Sequence, residues 1–453
     1  MLTRKAYKTL LEWKNRGNKK ALLISGARQI GKTYLIRSFG TQEYEHFVEL
    51  NFITEPKAEA IFAGNVDADT IIANLTAYTR KEMIPGKTLV FFDEIQECPR
   101  ARTAIKFLVE DGRFDYVESG SLLGINYKEV PSYPVGYEEH YQMYPIDFEE
   151  FLSANGVQES TIAGLEKCFE EKKPVSESIH ETIMSLFSYF VIVGGMPAVV
   201  QGFVDTHDIA RVLQMQRDIV ELYRQDISKY SANNKIRIKD IFDRIPAELN
   251  DKNKRFMLSD INKSARLNRY ESSFVWLEDA GVSLPCYNVT EPRIPLMINE
   301  KRNLFKLFLG DVGLLCAMCM ENVQFDILQG SLEVNMGSIL ENAVAQLLTA
   351  SGFRLYYFDK KNVGEIDFLI QQDKKVIPIE VKSGNDYKKH AALNRIMEAD
   401  GWNIDEGIVL CKGNLEQAGG ITYLPWYMTM FLKQESYRKP MIVKVDLSGL
   451  DGK

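Results

Sequence analysis

The chain has 453 residues, 45% of them apolar and 26% charged, with a net charge of −7. That length exceeds one ordinary domain and predicts three or four, and the negative balance excludes a global positive field for nucleic acid, leaving only a local basic surface for that task. Six scattered cysteines exclude a disulfide framework in so large a chain, and five histidines without ligand spacing argue against a structural zinc site.

The N-terminal twenty residues are basic and amphipathic and lack the apolar core of a secretory leader. The apolar segments 189–204 and 304–320 do not read as membrane spans, because the first is short and rich in Gly and Pro and the second carries Lys306 and Asp311. The expected location is therefore cytoplasmic, with no membrane partner. An apolar run over 21–25 predicts a buried parallel strand. Gly26-Ala27-Arg28-Gln29-Ile30-Gly31-Lys32-Thr33 follows, fits G-x-x-x-x-G-K-[ST], and leads directly into a helical pattern. Glycines let backbone N–H groups turn inward on phosphate oxygens, and the helix N-terminus adds partial positive charge. Lys32 can then reach the β- and γ-phosphates, and the Thr33 hydroxyl can ligate Mg²⁺.

A second apolar strand, 88–92, ends in Asp93-Glu94. Asp93 suits a water-mediated Mg²⁺ contact and Glu94 a base that polarises the attacking water. A third strand, 114–118, ends in Ser119-Gly120-Ser121, where Ser119, in preference to Ser121, is placed to sense the γ-phosphate. The stretches LLISGARQIGKT, LVFFDEIQECP and YVESGSLLGI resemble P-loop ATPases of the AAA+ class, and within it the archaeal-type ATPases. VGYEEHYQMYPIDFEEFL (135–152) and VGGMPAVV (193–200) are similar to further segments of that family. The resemblance covers roughly residues 1–230 and implies ATP and Mg²⁺ as ligands, and ring-like homo-oligomers as one possible assembly. Many relatives carry Gly-Arg where this chain has Gly136-Tyr137, so that arginine is missing here. Arg224 is an alternative γ-phosphate contact, and equally a helix-surface charge.

Residues 236–300 read as amphipathic helices followed by extended, Pro-punctuated segments, the pattern of a winged helix. Between Asp251 and Tyr270 lie three lysines and three arginines against two aspartates, and Lys263, Arg266 and Arg269 are spaced to share one helical face. That face either meets DNA phosphates or belongs to a packing module in which it is solvated or paired with acids.

Near the C-terminus, EIDFLI (365–370) and IEVKSG (379–384) flank QQDKKVIP. A turn at Gln372–Lys375 sets Asp367 opposite Glu380 and Glu365 opposite Lys382. Period-two alternation then puts these four charges on one face, and Ile366, Phe368, Ile370, Ile377, Ile379 and Val381 on the other. Like charges at 367 and 380 repel unless a cation lies between them, so Asp367 and Glu380 are candidate Mg²⁺ ligands, with Lys382 within reach of a metal-bound water or a scissile phosphate. Asp followed about thirteen positions later by Glu-x-Lys resembles the PD-(D/E)XK nuclease superfamily, and Glu341 in GSILENAVAQLL matches the acid that family often carries on its first helix. Plainer readings stand beside these: Ser338 and Glu341 as a capping box, and Glu365–Lys382 as a surface ion pair. Lys388, Lys389 and His390 either hold phosphates or form a solvated helix face. Cys316 and Cys319 are expected to pack in a core. The tail IVKVDLSGLDGK is expected to add an edge strand.

The expected architecture is α/β throughout: a P-loop AAA+ core with a parallel sheet (1–155), a helical lid (156–234), a winged-helix-like module (235–300) and a restriction-endonuclease-like domain (301–453). The expected activity is Mg-ATP hydrolysis, coupled to DNA binding or to metal-dependent cleavage. The alternative is a nucleotide-dependent switch that binds nucleic acid or a protein without cutting.

Overall fold

A computed structural model describes residues 2–17, 19–64, 67–120, 134–230, 235–251, 254–257, 267–319, 336–434 and 443. The N-terminal part is built on five parallel strands: β1 (Ala21–Ser25), β2 (His46–Asn51), β3 (Thr88–Asp93), β4 (Asp115–Gly120) and β5 (Glu138–Gln142), ordered β2-β3-β4-β1-β5. Both β1 and β3 have apolar centres, 21–24 and 89–92, and are buried at every residue, as strands covered on both faces must be. One face carries α1 (Lys5–Lys14) and α2 (Lys32–Glu43), which bury Leu10, Leu35 and Phe39 against Leu22, Ile24 and Phe91. The other carries α3 (Ala68–Thr79) and α4 (Pro99–Asp111), which bury Ile71, Leu75 and Leu108 against Leu23, Val90 and Phe92.

A helical region follows: α5 (Phe148–Ala154), α6 (Glu159–Glu170), α7 (Glu177–Val193), α8 (Pro197–Thr206), α9 (Ile209–Tyr230), α10 (Lys235–Asn250) and α11 (Leu267–Asp279). The chain then enters a second, eight-stranded mixed sheet. Its strands are β6 (Ser283–Val289), β7 (Glu300–Leu309), β8 (Tyr356–Lys360), β9 (Gly364–Gln372), β10 (Lys375–Val381), β11 (Gly407–Cys411), β12 (Glu416–Ala418) and β13 (Ile421–Pro425), ordered β12-β13-β11-β10-β9-β8-β6-β7. Helices α12 (Val312–Cys319), α13 (Gly337–Ala350) and α14 (Ala391–Glu398) complete this part.

Two features differ from the sequence expectation. The hairpin expected as the wing of a separate module is not detached, because β6 pairs with β8 and carries β7 with it to the edge of the C-terminal sheet. The main core is also continuous: it runs from Leu22 and Ile24 through Phe187 and Val200 to Leu307, Leu340 and Ile379. Cys316 is buried as expected, whereas Cys319 is exposed at the end of α12. Among the described residues no helix is long and apolar enough to cross a membrane. The expected edge strand of the tail, Ser121, Lys263 and Arg266 lie outside the described residues, as does the side chain of Arg269.

Buried Asp311 joins the helical region to the C-terminal part. Its carboxylate accepts N–H bonds from Gly195 at 2.6 Å and Leu314 at 3.0 Å, and a bond from the Gln346 amide at 3.4 Å. Removing it leaves buried donors unpaired, each costing about 1–3 kcal/mol. Asp311→Ala is therefore expected to lower unfolding free energy by about 3 kcal/mol, read as a fall in the urea midpoint at unchanged slope.

Candidate nucleotide site and the C-terminal carboxylate cluster

The loop Gly26–Gly31 lies at the C-terminal end of β1, where parallel strands open a crevice. Gly26 sits at φ +144, and a Cβ there would stand 2.3 Å from the Met143 carbonyl oxygen, so this position tolerates glycine alone. Gly31 adopts a left-handed conformation and caps α2, whose first amides have no side-chain cap. They remain available to an anion.

Half-buried Lys32 bends back, donating to the carbonyls of Gly26 at 2.8 Å and Ala27 at 2.9 Å. Burial lowers its pKa to about 8, although Glu94 and Asp93 pull in the opposite direction. The tips of three neighbouring strands converge on buried Asp93. Its carboxylate lies 3.1 and 3.3 Å from the Thr33 hydroxyl, accepts from the Asn51 amide at 2.7 Å and is hydrogen-bonded by Ser119. Ser119 belongs at this point because β4 lies between β3 and β1. Glu94 is left-handed at φ 56 and accepts from the Gln96 amide at 2.5 Å. Such a backbone costs a non-glycine residue of order 1 kcal/mol or more and concentrates at functional sites. The sequence reading had no cue to Asn51, since a strand-ending asparagine matches no motif.

The back of the loop is held by distant elements. Arg28 forms an ion pair with Asp226 of α9, and the Tyr223 hydroxyl donates to the Arg28 carbonyl at 3.0 Å. Gly281, in the turn between α11 and β6, packs so closely that a Cβ on it would lie 3.0 Å from the Ala27 nitrogen. Arg224 points elsewhere: it pairs with Asp243 of α10 at 2.8 Å and Glu221 at 3.5 Å, as a helix-surface charge does.

In the C-terminal sheet the hairpin register is as expected. Gln372 faces Lys375 and Phe368 faces Ile379, so continuing the ladder sets Asp367 against Glu380. The expected single charged face is corrected by a break in alternation. Between Phe358↔Ile366 and Tyr356↔Leu369 the pairing of β8 and β9 shifts register, and Ile366 turns into the smaller core while Phe368 and Ile370 enter the main one. Glu380 lies between Ile379 and Val381, both in the main core. Its side chain takes the opposite face, where it accepts the Leu393 N–H at 3.0 Å and meets Lys382 at 2.5 Å.

The remaining acids gather around a residue that the sequence reading did not select. Lys306 of β7 is fully buried and lies 2.6 Å from Glu365, 3.7 Å from Glu341 and 3.9 Å from Asp367. Burial pulls the Lys306 pKa down, but these three carboxylates more than offset it and hold the ammonium charged. Lys254 also binds Glu341, and Asp367 accepts the Val381 N–H at 2.9 Å. Glu341 is therefore not a capping residue; α13 starts after Met336 with no side-chain cap. The expected Glu365–Lys382 pair is replaced by Glu365–Lys306 and Glu380–Lys382. Removing one partner from a buried ion cluster of this kind costs about 3–5 kcal/mol. Among the described residues, no group of three or more His, Cys, Asp or Glu is placed to hold a metal ion. The neighbouring residues read either as phosphate holders or as a solvated helix face have partners within the chain: Lys388 binds Glu416, Lys389 binds Asp386, and His390 bonds Asn394 and Tyr423.

Residues 18–152 match the model of an AAA domain family, and residues 184–324 and 336–428 match two domains of unknown function, DUF8612 and DUF4143. No curated protein matches the chain. Among solved structures, the chain is similar to a Walker-type ATPase of Pyrococcus abyssi, at 13% identity over 71% of this chain and 96% of that one, with a TM-score of 0.40. It is also similar to the ORC2 protein of Aeropyrum pernix, at 13% identity over 72% and 92% with a TM-score of 0.31. For the RuvB Holliday junction branch migration motor of Thermotoga maritima the figures are 14% identity, 65%, 90% and 0.29. The AAA match over the segment that holds Lys32, Asp93 and Ser119 supports an AAA-type P-loop ATPase.

A phosphate beside Lys32 would return it to full charge. Binding of a non-hydrolysable ATP analogue is thus expected to take up a fraction of a proton at about pH 8.5 and almost none at about pH 6.5. Calorimetry in buffers of different ionisation enthalpy reads this directly; equal, zero uptake at both values contradicts the assignment.

Proposed function

We propose that this chain is a Mg-ATP hydrolase whose nucleotide state is passed to its C-terminal α/β part, and that this part binds DNA. The observation that carries the reading is the convergence of Lys32, Thr33, Asp93 and Ser119 at the loop, together with the anchoring of the loop's back on α9 and Gly281. The Thr33 hydroxyl and the Asp93 carboxylate are adjacent hard oxygen donors, a set that fits Mg²⁺. Magnesium, when bound, offsets charge on the β- and γ-phosphate oxygens.

Lys32 would exchange the Gly26 and Ala27 carbonyls for phosphate oxygens, and the open amides of α2 would face the same anion. Glu94 would accept the proton of the attacking water, with its carboxylate oriented by Gln96. Ser119 would report the γ-phosphate through its bond to Asp93. Because Ala27 and Arg28 are packed on Gly281 and bonded to α9, a loop drawn toward phosphate loads both contacts. Through Gly281 that load reaches β6 and the second sheet.

A second reading, metal-dependent DNA cleavage at Asp367, Glu380 and Lys382 with Glu341, is favoured by the hairpin register that brings Asp367 opposite Glu380. The internal pairing of Glu341, Asp367 and Glu380 favours binding without cutting. Two of the six basic residues between Asp251 and Tyr270 turn inward, Lys254 to Glu341 and Arg255 to Asp359. That supports a packing role for this segment of the middle module.

Lys32→Ala and Glu94→Gln are each expected to lower ATP turnover by about 100-fold or more, the second with analogue binding retained. DNA affinity measured by fluorescence anisotropy should change with ATP in the wild type and not in Lys32→Ala. Circular DNA incubated with Mg²⁺ or Mn²⁺ should stay intact; nicking that disappears in Glu380→Ala supports the second reading instead.

A further inference from the structure

The resemblance of the C-terminal hairpin to a nuclease half-site implies a divalent cation among Glu341, Asp367 and Glu380. The residues present do not fit one. We propose that Glu341, Glu365 and Asp367 take the ammonium of Lys306 as their cation, so that the cluster is a metal-independent clasp.

The argument begins with where Lys306 can go. It stands on β7 between Phe305 and Leu307, both in the main core, and is itself wholly buried. Its Nζ lies 5.2 Å from the Tyr357 ring centroid and within 4 Å of all three carboxylates. A strand-borne side chain packed in this way has no exposed rotamer to retreat to, so its charge stays inside the cluster. A dication in the same space would meet that charge at close range, where little solvent screens it.

Most of the oxygens already face a donor or a cation of the chain. Asp367 accepts the Val381 N–H and one oxygen of Glu380 the Leu393 N–H, while one oxygen of Glu341 meets Lys254. The second oxygens of Glu380 and Glu341 are buried without a hydrogen bond, and their charge is met by Lys382 and by Lys306 at 3.7 Å. Magnesium needs near-octahedral oxygens at about 2.0–2.1 Å, and the Glu380 carboxylate is turned to the Leu393 N–H and to Lys382. Charge accounting agrees: three carboxylates meet two ammonium groups, which leaves a residual −1 instead of the surplus that attracts a dication. The clasp ties four elements, namely the segment that holds Lys254, β7, α13 and β9. It thereby fixes the first-helix acid of the nuclease-like pattern to the middle of the chain.

This inference does not rest on the ATPase reading, and its test is run without nucleotide. Mn²⁺ binding to the full chain is measured by electron paramagnetic resonance in wild type, Asp93→Asn and Lys306→Met. Asp93→Asn removes the loop's own metal contact, so Mn²⁺ that survives it reports on other sites. The expected result is no Mn²⁺ tighter than about millimolar in Asp93→Asn. Lys306→Met, freed of its internal cation, is expected to bind Mn²⁺ at least tenfold more tightly than wild type and to regain melting temperature when Mn²⁺ is added. One tight Mn²⁺ in Asp93→Asn that is lost on further changing Asp367→Asn overturns the proposal. So does a Lys306→Met protein that melts like wild type and binds no additional Mn²⁺. Should Lys306→Met fail to fold, Asp93→Asn alone still decides.

Discussion

The back of the phosphate loop is wedged, and the rest of the molecule is arranged around that contact. Gly281 approaches the Ala27 nitrogen so closely that a methyl group in its place would sit at the limit of contact. Arg28 is bonded to α9 by both its side chain and its carbonyl. A cleft of about 250 Å³ beside this seam is lined by Ala27, Met143 and Tyr144 on one side and by Gly281, Leu284 and Phe353 on the other. Close-packed interfaces of this kind change between discrete arrangements more readily than they deform. Occupancy of the loop therefore has a short physical route to β6, and β6 is a member of the second sheet.

The second sheet carries its own constraint, the compensation of buried charge. Three acids on α13 and β9 would repel one another in a dry interior. Lys306 and Lys254 remove that repulsion from within the chain. The clasp and the seam meet in neighbouring strands, because β7, which holds Lys306, pairs with β6, which follows Gly281. The turn before β6 thus packs on the phosphate loop, and the strand beside β6 is tied by ion pairs to α13 and β9.

Much of the loop's strand–loop–helix geometry was legible in the sequence because its determinants are local. Glycines, a lysine and a threonine at fixed spacing after an apolar run specify a strand, a loop and a helix, and the acids at a strand tip follow from the next apolar run. The hairpin register was legible for the same reason: a short turn fixes which residues face each other. What was not legible depended on distant contacts. Strict alternation put Ile366 with Phe368, but a register shift against β8 separates them, and Glu380 bonds Leu393 and Lys382 where Lys306 gathers the other acids. Lys306 had read merely as a charge interrupting an apolar run, since no local pattern shows that three carboxylates surround it. Lys254 and Arg255 entered only as part of a basic stretch, with no local cue that they bind Glu341 and Asp359. The β6–β7 hairpin read as a wing because its partner, β8, lies far along the chain.

The most direct test of the coupling is hydrogen exchange on Glu94→Gln with and without Mg-ATP, followed by mass spectrometry. The account predicts altered protection in three places: the loop, residues 219–227 of α9, and residues 280–289 across the Gly281 turn and β6. Protection changes confined to the loop and α2, with α9 and β6 unaffected, would contradict it.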